Sequence, residues 1–280
     1  SSAASDVYKR QGASELKGTG TKARSVYNLE INKPGTTWTY TAGFTIGSST
    51  VNFQVQNAYR QIDGTVSFGN LHNPLIEQSA IWAGGTFSNS SNGFIIGSGN
   101  SHGSWLVNMT LSPLYIQKEG TGTFVLQGSS SGSFSPAQII VNGGVLRQEM
   151  DVTSSLGIGV SGTYILESGS TFNHMGLMTI AGTFQALGSP GNYSVIQSST
   201  STHQQISIGT GANIKLEYVN ISQINGGLNL DNITTGKIHS LHDVTFDNFT
   251  NNGASDTYID LSGLSPARFA AGMKQNSLVY

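Results

Sequence analysis

Short apolar stretches recur along the whole chain, each flanked by Gly, Ser or Asn. Examples are Phe44-Thr45-Ile46, Thr123-Phe124-Val125-Leu126, Gln138-Ile139-Ile140-Val141 and Thr163-Tyr164-Ile165-Leu166. They are short and rich in β-branched and aromatic residues, the mark of β-strands. Helical periodicity is nearly absent. Only Pro266 to Met273 has the makings of a helical turn or two.

The spacing of these strands carries more than their type. A Gly-Thr-aromatic or Gly-Gly-aliphatic step recurs, as at Gly64-Thr65-Val66, Gly122-Thr123-Phe124, Gly143-Gly144-Val145, Gly162-Thr163-Tyr164 and Gly182-Thr183-Phe184. Interpolating between steps gives the series Phe44, Val66, Phe87, Trp105, Phe124, Val145, Tyr164, Phe184, Ile206, Leu228 and Phe246, spaced by 18 to 22 residues. Two residues after each lies Ile46, Phe68, Asn89, Val107, Leu126, Arg147, Leu166, Ala186, Ile208, Leu230 or Asn248, mostly apolar. Residues i and i+2 of a strand share a face, so both positions are expected to point inward. A fixed period marks a repeat array. About twenty residues is too short for a strand plus a helix but fits one coil of three short strands. The expected fold is all-β: a single-stranded, right-handed parallel β-helix (a β-solenoid) of about eleven coils. A β-sandwich is the alternative, but it gives no reason for this period.

Composition agrees. Only 10% of residues are charged, and 36 of the 280 are Gly, which serves tight corners. The 12 Phe, 10 Tyr and 3 Trp supply core material. A net charge of −2 provides no basic stripe for nucleic acid. No apolar run is long enough for a membrane helix. With Cys 0, disulfides and Cys-based metal sites are excluded.

Asp6-Val7-Tyr8-Lys9-Arg10-Gln11 translates GAT GTG TAT AAG AGA CAG, the end of a transposon adapter used in shotgun libraries. Residues 1–11 are therefore expected to be non-native, from an environmental assembly, with the natural N-terminus missing. Residues 12–262 are expected to form the solenoid and 263–280 the C-terminal end of the fragment.

Gly18-Thr19-Gly20-Thr21, Tyr27-Asn28-Leu29-Glu30-Ile31-Asn32-Lys33-Pro34-Gly35 and Phe44-Thr45-Ile46 together resemble a repeat of large bacterial surface proteins exported by type IX secretion. Asp243-Val244-Thr245-Phe246-Asp247-Asn248 and Thr257-Tyr258-Ile259-Asp260-Leu261 are similar to the ends of such arrays. Autotransporter passengers are a second similar family. The resemblance implies a right-handed β-helix within a long secreted or cell-surface chain. Its implied role is structural or adhesive, with surface polysaccharide, another surface protein or flanking domains of the same chain as partners.

The pectin-lyase-like β-helix also hosts polysaccharide lyases and glycoside hydrolases, so an enzyme of that type is the alternative expectation. Asp243, Asp247, Asp256 and Asp260 form the densest acidic group, a candidate calcium or sugar site or simply turn residues. Glu149, Asp151 and Glu167 lie about one coil apart and could stack on one face, with Arg147 and Lys118 on neighbouring coils, a candidate catalytic group or simply a solvated face. His239 and His242 are three apart, a metal spacing on a helix but not on a strand. Trp38, Tyr40, Trp82 and Tyr115 fall outside the inward series and are candidates for stacking on sugar rings, or for a second core face. Asn-x-Ser/Thr triplets, as at Asn108 and Asn192, arise by chance in so polar a chain. No P-loop or nucleophile elbow is present. No catalytic residue, metal or cofactor is assigned.

Overall fold

A computed structural model describes residues 7–8, 14–16, 24–40, 45–46, 49–50, 53–67, 74–87, 93–97, 99–100, 102–128, 132–198, 205–225, 227–247, 259–260, 265–269 and 275–279. Two compact units, Ser1–Ala137 and Gln138–Tyr280, are distinguished. The fold is the parallel β-solenoid, all-β, with about 8 turns of about 22 residues in all. Among the described residues the one helical element is a 3₁₀ turn, Pro266–Arg268. It starts on a proline, and the Ser265 side chain accepts a hydrogen bond from the Ala267 N–H.

Each unit is built from three parallel ladders. In the first unit one ladder runs through Val26, Val55 and Ile76 to Ile96 and Lys118. A second runs through Leu29, Tyr59, Ala80, Trp105 and Leu126. The third joins Trp38, Val66 and Phe87, and also Leu111 with Phe134. In the second unit one ladder stacks Leu146, Tyr164, Phe184, Ile214 and Ile238. Another stacks Val152, Phe172, Ile196, Ile221 and Phe246, and the third Ile139, Leu156, Met178 and Ile206.

The core follows from strand alternation. Along Val152–Glu167 inward and outward residues alternate, and Val152, Leu156, Ile158, Tyr164 and Leu166 are buried. Burying one such side chain stabilises by roughly 1.5–3 kcal/mol. Repeated on every turn, this burial stabilises a chain that has no cysteine for disulfide cross-links.

Two expectations about the inward series need correction. Val145 does not oppose Tyr164. It pairs with Thr163, and Leu146 opposes Tyr164. The register slips between Val141 and Gly143, and Gly144 takes a left-handed conformation (φ 63°). The extra residue lies on the facing strand, where Gly159 and Val160 oppose Asn142; the buried Val141 and Leu146 stand an odd number of residues apart, so the facing of this strand reverses across the corner. Leu146 and Gln148 therefore point inward, while Arg147 points out.

The second correction concerns the even period. Trp105 opposes Leu126, not Phe124. Phe184 opposes Ile214, thirty residues on, not Ile206. Phe246 opposes Ile221, on a different ladder. The series mixes members of different ladders because the corners between strands vary in length. Every member whose side chain is described, apart from Val145, is nonetheless buried.

Candidate functional site

The charged residues singled out in the sequence fall into separate places. Arg147 faces solvent and pairs with Glu167 at 2.8 Å and Glu149 at 3.6 Å. Asp151 accepts a hydrogen bond from the Thr171 backbone N–H at 2.8 Å, closing a corner onto the next turn. Lys118 does not share this solvated face. It is fully buried, and its ammonium donates to the Gly97 carbonyl at 3.2 Å and to the Glu119 carbonyl. Burial lowers its pKa, with Glu119 and Glu77 opposing that shift. Arg147, Glu149 and Glu167 thus form one ion cluster, and Asp151 and Lys118 each serve a corner.

The aromatic candidates divide similarly. Trp82 is in the core, fully buried, with its ring 4.5 Å from Tyr59 and 5.7 Å from Trp105. Tyr115 lies against Gly93, where any Cβ would run into its ring. The side chains of Trp38 and Tyr40 lie outside the described residues, as do Asp256 and the side chain of Asp260. His239 is the extra residue of a register slip between Ile238 and Ser240 and is exposed. Among the described residues no three His, Asp or Glu side chains are grouped to hold a metal.

Asp243 and His242 belong to a more organised place, a corner of the second unit where successive turns pass from one ladder to the next. The passage holds two residues at Ser168-Gly169, six at 188–193, one at Tyr218 and one at Asp243. The six-residue corner folds on itself through Ser189 and Asn192, whose backbones bond in both directions at 2.9 and 3.0 Å across Pro190-Gly191. The Asn192 amide donates to Ser168 Oγ at 3.0 Å, fixing the loop to the preceding turn. Its root is Gly188, whose N–H donates to the Glu217 carbonyl at 2.8 Å. Any side chain at Gly188 would collide with the Tyr218 carbonyl.

Three rings are thereby stacked along the corner. Tyr193 meets Tyr218 edge to face at 6.0 Å, and Tyr218 meets the His242 imidazole edge to face at 4.9 Å. All three are partly exposed. The His242 Nδ1 lies 3.5 Å from Asp243 Oδ2, and Lys215 pairs with Glu217 at 3.1 Å. The single-residue corners Tyr218 and Asp243 both have left-handed backbones, φ 53° and 50°. Asp tolerates this conformation, but a bulky aromatic in it is an outlier. The arrangement offers apolar ring surface beside carboxylates and an imidazole, all reachable from solvent.

Tyr193 and Tyr218 were not recognised in the sequence as site residues. A signal was present. Leu216-Glu217-Tyr218-Val219-Asn220-Ile221 and Leu241-His242-Asp243-Val244-Thr245-Phe246 share one break in apolar alternation, an extra residue between Leu and Val. That break marks a one-residue corner, and the stacked corners bring position 218 beside 243. Compared with protein-family models, curated proteins and solved structures, the chain matches none.

Proposed function

We propose that this chain is a structural or adhesive segment of a secreted or cell-surface repeat protein, without a catalytic centre. The observation that carries this reading is how the scarce charged groups are used. Arg147 is held between Glu149 and Glu167, and Asp151 closes a corner. Asp63 accepts a hydrogen bond from the Gly64 N–H at 2.6 Å, and Lys118 holds corner carbonyls from inside. Such groups serve the stacking of turns. Acid–base work on a glycosidic bond instead needs two carboxylates flanking an open substrate path.

The repeat's resemblance to type IX-secreted surface proteins and autotransporter passengers supports a surface location. Its partners are then surface polysaccharide, another surface protein or neighbouring domains of the same chain. With 13 Lys and Arg against 15 Asp and Glu, nucleic acid is a poor partner. Among the described residues no helix is long and apolar enough to cross a membrane.

The rival reading, a polysaccharide lyase or glycoside hydrolase, draws on Glu217, His242 and Asp243 at the aromatic corner. An activity screen on acidic and neutral polysaccharides, with and without calcium, separates the two. The expected result is no release of reducing or unsaturated ends. Turnover that is lost in Asp243→Asn or Asp247→Asn would overturn the structural reading.

A further inference from the structure

We infer that the ring ladder Tyr193–Tyr218–His242 is a binding ridge for a neutral glycan chain. This rests on the adhesive form of the reading above and names the ligand class and the place.

The first argument is conformational. Among the described residues most other left-handed bends are filled by glycine: Gly64, Gly85, Gly97, Gly120, Gly144, Gly169 and Gly227 all have φ between 56° and 95°, and the other side chains found there, Gln223 and Asp243, are not aromatic. Glycine adopts this region at no steric cost. Tyr218 occupies such a bend at φ 53° and is strained there. The fold does not call for a ring at this position, since the neighbouring turn makes the same one-residue corner with Asp243. An outlier of this kind, retained where glycine would do, points to use of the side chain.

The second argument is placement. Successive turns of a parallel ladder advance by about 4.8 Å. Tyr193, Tyr218 and His242 sit on three successive turns, so the ladder repeats along the stacking direction at a step comparable with one sugar unit of an extended chain. Hexopyranoses have an apolar C–H face that packs on aromatic rings, and hydroxyls at the ring edge. Glu217, His242 and Asp243 flank the rings and are about a quarter to a third exposed, available to those hydroxyls.

The third argument is charge. Along this outward strip Glu149, Glu167, Glu217 and Asp243 outnumber Arg147 and Lys215, and both cations are already paired with carboxylates. An anionic chain of uronic acids meets like charge here. A neutral chain does not.

The test is calorimetric titration of the whole chain with cellohexaose, laminarihexaose and mannohexaose, and with oligogalacturonate as the anionic comparator. At least one neutral hexaose should bind saturably, and oligogalacturonate should bind more weakly or not at all. Tyr218→Gly removes the ring but suits the bend. It should weaken binding by about tenfold while the melting temperature stays at or above that of the parent. His242→Ala should weaken binding in the same sense. No saturable binding by any neutral hexaose, tighter binding of oligogalacturonate, or full affinity in Tyr218→Gly each overturns the ridge. A melting temperature that drops in Tyr218→Gly with affinity unchanged shows the ring to be corner packing and overturns it too. Because no step is catalytic, the activity screen above stands apart. Turnover would sink the structural reading whatever the titration shows, and failed binding without turnover removes only the ridge.

Discussion

The two units solve the same problem with different sequence. Each buries a tyrosine hydroxyl against a glutamine, and each glutamine ties together two turns. In the first unit Tyr59 donates to Gln61 Oε1 at 3.0 Å, and the Gln61 amide reaches the Gly64 and Thr86 carbonyls at 3.1 and 3.2 Å. In the second, Tyr164 donates to Gln148 Oε1, and the Gln148 amide reaches the Met150 and Thr171 carbonyls at 2.6 and 2.8 Å. The first pair sits on one strand, two residues apart; the second spans neighbouring turns. Corner carbonyls point inward at the ends of strands, where they need donors. A long amide side chain meets that need from wherever it starts. Around these pairs the cores diverge. The first unit packs Tyr59, Trp82, Phe94 and Trp105 into one cluster of tilted and edge-to-face rings. The second has a smaller aromatic group, Tyr164 with Phe172 and Phe184, among aliphatic stacks, and a buried polar column, Ser154, His174 and Ser198, on successive turns.

The largest effect should come from breaking the aromatic cluster. Trp105→Ala should cost about 3–5 kcal/mol in chemical denaturation, and so should Phe124→Ala, whereas half-buried Gln127→Ala should cost under about 1 kcal/mol. Trp105 Nε1 is buried without a hydrogen-bond partner among the described residues. Trp105→Phe should therefore lose much less than Trp105→Ala, and equal losses would show that the indole N–H matters.

The shared Tyr–Gln device is the next target. Gln61→Leu and Gln148→Leu each strand a tyrosine hydroxyl and two carbonyls, so each should cost about 1–3 kcal/mol. A double-mutant cycle of Tyr164→Phe with Gln148→Leu should show coupling above about 0.5 kcal/mol. Additive losses would mean that the two side chains act separately and that the parallel between the units is superficial.

The smallest effect belongs to the polar column and depends on pH. Burial lowers the pKa of His174 below the ordinary 6.5, partly offset by the Gly176 carbonyl 3.3 Å from its Nδ1. The unfolded chain then takes up a proton before the folded one. The stability held by the neutral ring is complete above the unfolded pKa and is lost as pH falls below it. Melting temperatures measured from pH 7.5 down to 5 should fall less steeply in His174→Gln than in the parent.

Much of this was legible from residue order. Strand alternation announces which face is buried, because a period of two admits only two choices. It failed at the corner between Val141 and Leu146, an odd step along the chain that reversed the facing of Val145 and Arg147, although both fit the spacing. Trp82 fits the second core face that the sequence offered beside sugar stacking. It lies off the chosen series yet sits at the heart of the core, because a turn has three ladders and one series samples only part of them. Lys118 read as a surface cation, since nothing local signals that its amine ends among inward carbonyls. The aromatic corner was hidden for a different reason: Tyr193, Tyr218 and His242 meet through corners of unequal length, and sequence distance does not report which turns lie side by side.

The corner between Leu187 and Ser194 holds six residues where its neighbours hold one or two, yet the strands on both sides keep their partners in step. Architecture of that sort separates growth from disruption. New material entering at such a junction leaves the backbone lattice intact, so a lineage can lengthen, trade or decorate its junctions while the scaffold persists. The same property suits the protein to engineering. A foreign epitope or affinity tag grafted between Pro190 and Gly191 would be displayed outward on a scaffold that need not change to carry it.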